Sequence, residues 1–142
     1  MVDLIPDILS CINEIEFPLE VDVVEGYPPK KPDFARPLVT VREVQNTVDQ
    51  TTYTTKEEYS NITIEIEVYS RTQKINNIPM TGPRVCALLK DLIDDKLSST
   101  LCLFRVGTPY TQPSLFDNTV TRNVVTYEVT VDNTYKICYR GL

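Results

Sequence analysis

The stretch Ile62–Ser70, ITIEIEVYS, decides the fold of this chain. Ile62, Ile64, Ile66 and Val68 alternate with Thr63, Glu65, Glu67 and Tyr69, and a period of two puts the two sets on opposite faces of a β-strand. The β-branched face needs an apolar layer over it. Burial worth about 1.5–3 kcal/mol per side chain sets the register, because a slip of one residue would drive both glutamates into that layer. Two amphipathic helices have the matching size. Leu4, Ile5, Ile8, Leu9, Ile12 and Ile15 recur at helical spacing, with Asp3 placed to cap and Pro6 tolerated in the first turn. Val85, Leu88, Leu89, Leu92 and Ile93 mark the second helix, which starts at Thr81 and Pro83 and ends near Leu97.

The rest of the chain reads mainly as strands. FPLEVDVVEG alternates at Leu19, Val21 and Val23 and predicts a short strand; YPPKKPDFARP, Tyr27 to Pro37, is too rich in proline for helix or central strand and predicts an extended surface connector. PLVTVREVQN is a strand with Leu38, Thr40, Arg42 and Val44 on one face and Val39, Val41 and Glu43 on the other, its inward face left open by the pattern. With ITIEIEVYS it forms the arms of a long hairpin, and the threonine-rich interval Thr47–Tyr59 between them is either a projecting β-tongue or a flexible loop. RTQKINNIPMTGP breaks the pattern. LCLFRVG is then a short strand, TPYTQPSLFDNT a proline-punctuated loop, Val120–Asp132 a longer strand, and Asp132-Asn133 a tight turn into TYKICYRG. The expected fold is a single α+β domain over residues 1–142: a mainly antiparallel sheet with two helices packed on one face and a long β-hairpin tongue.

Composition narrows the function. A net charge of −6 argues against a general binder of the phosphate backbone, which needs surplus Lys and Arg. The chain has no histidine, which removes Ser-His-Asp and Cys-His catalysis and histidine-ligated metals together. Cys11, Cys86, Cys102 and Cys138 are scattered in apolar stretches without a Cys-x-x-Cys pair and read as buried, reduced thiols. The pairs Asp94-Asp95 and Glu57-Glu58 are candidates for Mg²⁺, but helical neighbours do not face each other, and four glycines build no phosphate-cradling loop. The expectation is therefore no enzyme, no cofactor and no metal. No apolar run reaches the roughly 20 residues of a membrane span, and the start MVDLIPDILSCINEIEF lacks the basic flank and cleavage site of a signal peptide, so the chain reads as soluble and unexported.

The order of elements, with VTVREVQN (Val39–Asn46), ITIEIEVYSR, and Asp117 ahead of TRNVVTYEVTV and a closing YRG, resembles the tail-completion and tail-terminator proteins of long-tailed bacteriophages. The resemblance covers most of the chain and departs from the family at the Tyr27–Pro37 insert. It implies a structural virion protein that forms a ring, typically hexameric, on the head-proximal end of the tail tube. Its partners would be copies of itself, the tail tube protein and the head–tail connector or stopper protein, with DNA passing through the channel unbound. Another ring of the connector or tube remains the alternative within that class. From a different class comes an acidic inhibitor that mimics DNA, a reading weakened by lysines interleaved with the acids in KEEYS and LKDLIDDK; an Mg²⁺ enzyme ranks third.

In a ring, Thr51, Tyr53, Thr55, Glu57 and Glu58 of the tongue would lie at a subunit interface or in the channel; the plain alternative is a loop. Glu65 and Glu67 would be channel-facing acids, against the alternative of an ordinary solvated strand face. Arg122 would pair across an interface, against a surface arginine of little consequence. Tyr127, Tyr135 and Tyr139 read as packing on the last hairpin rather than a base-stacking platform.

Overall fold

The structure is a computed structural model and describes residues 3–29, 34–49, 59–101, 103–113, 119–132 and 137–140. The first helix, α1, runs Ile5–Asn13, and the Asp3 carboxylate accepts from the Ile5 N–H at 3.0 Å, satisfying a donor that the helix itself leaves open. The strands are β1 (Asp22–Glu25), β2 (Leu38–Asp49), β3 (Tyr59–Ser70), β4 (Gln73–Ile75), β5 (Ile78–Met80), β6 (Phe104–Pro113), β7 (Thr121–Asp132) and β8 (Ile137–Arg140), with α2 (Gly82–Leu101) between β5 and β6. The main sheet has the order β1-β2-β3-β7-β6, and β8 continues along β7 beyond the end of β6. All its described pairings are antiparallel except β1 with β2. This is the α+β architecture expected.

The strand that decides the fold lies at the centre. Ile62, Ile64, Ile66 and Val68 are at most 1% exposed and pack with Ile8 and Ile12 of α1 and Val85, Leu89, Ile93 and Leu97 of α2. Both helices therefore cover one sheet face. The inward face of β2, open in the sequence, is Val39 and Val41, each opposite an apolar residue of β3 (Val68 and Ile66). A register shift between Glu43 and Gln45 ends that alternation and leaves Val44 exposed.

Three expectations about the elements need correcting. The helix expected to stop near Leu97 continues to Leu101, because Ile93, Leu97 and Leu101 keep the four-residue spacing against the core. The short strand and the first part of the expected proline loop are one strand, β6, reaching Pro113, and residues 114–118 of that loop lie outside the described residues; a register shift between Val106 and Tyr110 takes up Pro109, and an edge strand tolerates a residue without an N–H. The stretch read only as a pattern break holds the β4–β5 hairpin, whose two-residue turn, Asn76 and Asn77, has φ of 53° and 64°. Positive φ at both central positions is the twist-matched hairpin turn, which asparagine tolerates better than other side chains.

Gly82, at the start of α2, sits where a Cβ would lie 2.6 Å from Thr121 Oγ1 and 2.8 Å from the Ser70 carbonyl. The absent side chain lets the helix start seat against the ends of β3 and β7. The β7–β8 hairpin is present as expected, and its turn lies outside the described residues.

Candidate functional site

The second sheet face, turned away from the helices, carries Leu38, Thr40 and Arg42 of β2, Thr63, Glu65, Glu67 and Tyr69 of β3, and Arg122, Val124, Thr126 and Glu128 of β7. Register places Arg42 directly opposite Glu65 and Arg122 directly opposite Tyr69, so each arginine stands diagonal to Glu67 from a different neighbouring strand. Diagonal neighbours on a sheet lie within reach of long side chains. The Arg122 Nε donates to Glu67 Oε2 at 2.8 Å, the Tyr69 hydroxyl donates to the same oxygen, and Arg42 Nη2 contacts both Glu67 Oε1 and Glu65 Oε1. Two cations and two anions thus close a neutral network across three strands.

Described residues of the connector cover the part of this face at Leu38, Arg42 and Tyr69. Tyr27 lays its ring 4.6 Å from the Arg42 guanidinium carbon, and Phe34, 3% exposed, stacks on Tyr69 at 5.7 Å between ring centres. Leu38, Val120 and Val24 complete a small second core there. Arg36 bonds Glu20 at 2.9 Å, and Gln73 of β4 donates to the Ala35 carbonyl, tying the segment down at both sides. The expected surface connector is in fact a packing element, because its aromatic residues have an apolar and a cationic partner beneath them.

Burial by itself would raise the Glu67 carboxyl, but hydrogen bonds from Arg122, Tyr69 and Arg42 outweigh it and hold the group down at about 2. Burial and the neighbouring carboxylate raise Tyr69, and the bond to Glu67 raises Arg122, so both keep their protons. A carboxylate held ionised in this way has little to offer as a proton shuttle near neutrality. What the network does is lock β2, β3, β7 and the connector in one arrangement.

These contacts correct the plain readings. Glu67 is 2% exposed and enclosed within the chain, so it belongs neither to a solvated strand face nor to an open channel wall; Glu65 beside it keeps partial exposure. Arg122 is no surface arginine of little consequence, since it neutralises a buried acid. Tyr127 is core, as expected, and its hydroxyl donates to Asp94 of α2 at 2.7 Å, which places half of the Asp94-Asp95 pair in a helix–sheet tie. Cys11 and Cys86 are buried free thiols. Thr51, Tyr53, Thr55, Glu57, Glu58 and Asp117 lie outside the described residues.

Beyond the connector, no described residue covers the second face. Gln45, Thr47, Asn61, Thr63, Glu128 and Thr130 surround a shallow polar groove of about 290 Å³ at the root of the hairpin. Sequence reasoning missed both the groove and the network, although Tyr27, Phe34 and Arg42 carried a signal: aromatic residues in a proline-rich segment, and an arginine directly after the β-branched run Val39–Val41. No family model and no curated protein matches this sequence.

Proposed function

We propose that this chain is a structural ring subunit at the head–tail joint of a long-tailed phage, closing the head-proximal end of the tail tube and presenting a docking surface to the connector. The observation that carries the reading is the division of the second sheet face. One part is covered by the chain's own connector over a neutral ion network, and the other, around Thr47, Asn61, Thr63 and Thr130, is a polar groove over which no described residue lies. A subunit that must fold alone and then join copies of itself needs such a split: a finished core together with an unfinished surface. The net charge of −6 suits a channel through which DNA slides without sticking.

The inhibitor reading loses support from the same contacts. A mimic of DNA presents unneutralised carboxylates, whereas Glu65 and Glu67 are engaged by Arg42 and Arg122. Native mass spectrometry of the chain, alone and with tail tubes lacking their terminal ring, tests the proposal. A closed ring in either condition supports it. A stable dimer that ignores tubes overturns it.

A further inference from the structure

Thr40 stands on the second sheet face inside the ion network yet takes no part in it. Its neighbours there are Val24 across in β1, Glu67 across in β3, and Leu38 and Arg42 along β2. The residue is 0% exposed, and neither its Oγ1 nor the buried Nη1 of Arg42 has a hydrogen-bond partner among the described residues. Two buried polar atoms left unpaired are costly, and folded proteins satisfy nearly all such groups with protein or with ordered water. The two atoms share one neighbourhood. Thr40 and Arg42 are roughly 6–7 Å apart along the strand, and Arg42 bends back toward Thr40, because its Nη2 meets the Oε1 of Glu67, the residue directly opposite Thr40.

We infer that one water molecule is bound between Thr40 Oγ1 and Arg42 Nη1. It accepts from the guanidinium and exchanges a hydrogen bond with the hydroxyl. Glu67 supplies a third partner: its Oε2 accepts from Arg122 and Tyr69, whereas Oε1 is met by Arg42 Nη2, which leaves a lone pair on Oε1 among the described contacts. Three polar partners are the usual complement of a buried water. The chemistry of the site selects a neutral occupant. Arg42 and Arg122 are already balanced by Glu65 and Glu67, so an anion would add an uncompensated buried charge, and the guanidinium donors repel a cation. Tyr27 on the guanidinium and Phe34 on Tyr69 stand over the same part of the face, which makes the seat of the connector a wet polar joint beside a dry aromatic one. The site lies within one chain and needs no second copy.

A crystal structure of the full chain at a resolution that shows ordered solvent tests the site directly. The expected result is density for a water within about 2.7–3.2 Å of both Thr40 Oγ1 and Arg42 Nη1. Thr40→Val keeps the shape of the side chain and removes the hydroxyl, so it should lose that density and melt about 3 °C lower than the wild type. Thr40→Ser keeps the hydroxyl and should keep the water. No density at the site in the wild type overturns the assignment. So does a Thr40→Val chain that melts at or above the wild-type temperature, since the hydroxyl would then be an orphan whose removal relieves the fold. Crystals grown with bromide in place of chloride provide the remaining control: an anomalous peak at this position would mean an anion in place of water, and would overturn it as well.

Discussion

The Glu67 carboxylate and the Arg122 guanidinium meet at 2.8 Å across the boundary between β3 and β7, although they are 55 positions apart and the register sets Arg122 opposite Tyr69. With Arg42 reaching Glu67 from β2, this diagonal contact makes one buried carboxylate the hub of the second sheet face.

Removing that hub leaves two arginines with low exposure and no buried counter-charge. Glu67→Gln should therefore destabilise the chain by about 3 kcal/mol or more, the cost typical of breaking a buried pair. Glu65→Gln, at a more exposed position and paired with Arg42, should cost about 1 kcal/mol or less. Urea unfolding of both variants checks the ranking, and equal effects would deny Glu67 its central role.

Acid should loosen the same hub. The Glu67 carboxyl is lowered from 4.5 to about 2, so the folded state binds this proton less readily than the unfolded state. Its contribution, roughly 3 kcal/mol at most, is fully present above about pH 4.5 and is lost as pH falls toward 2. Stability measured from pH 6 to pH 2 should fall through this window in the wild type, and the fall should be shallower in Glu67→Gln.

Gly82→Ala should cost about 1–3 kcal/mol, because the new methyl meets a side-chain oxygen and a backbone carbonyl at once. Thr121→Ala in the same chain should recover only part of the loss, since the Ser70 carbonyl remains in place. Thermal melting of the single and double variants measures both effects.

Phe34→Ala tests whether the connector is a packing element. Loss of a buried phenyl ring stacked on Tyr69 should cost about 3 kcal/mol and expose the Tyr27–Pro37 segment to proteolysis before global unfolding. Cleavage there at the wild-type rate would show that the segment is held by its other contacts, at Arg36 and Gln73.

Burial pushes the Cys86 thiol up to about 12, and it lies 3.5 Å from the Val68 carbonyl. It should resist alkylation at pH 8 until the chain unfolds. Peptide mapping after timed labelling reads this directly, and labelling faster than global unfolding would contradict the buried position.

Local pattern carried much of the architecture. The alternation at Ile62–Val68 named the buried face, the helical spacings at Ile5–Ile12 and Val85–Ile93 named what covers it, and TRNVVTYEVTVD named the strand beside it. Each rests on a period of 2 or 3.6 residues, which the chain displays wherever one side of an element is buried. The β4–β5 hairpin was also legible in principle, as two asparagines between short apolar runs, but three-residue strands are too brief to show a period.

The candidate site was not legible in that way. Glu65 and Glu67 alternate with isoleucines whether water or arginine lies above them, so the pattern says which face they occupy and nothing of what meets them. That was decided when β2 and β7 flanked β3 and the connector crossed above, bringing Arg42, Arg122, Tyr27 and Phe34 from distant parts of the chain to one place. The sequence by itself determined the apolar face and its helices, because burial of that face depends on spacing within each element. Only the tertiary structure decided the fate of the polar face, because the charge state and burial of Glu67 depend on partners supplied by other strands.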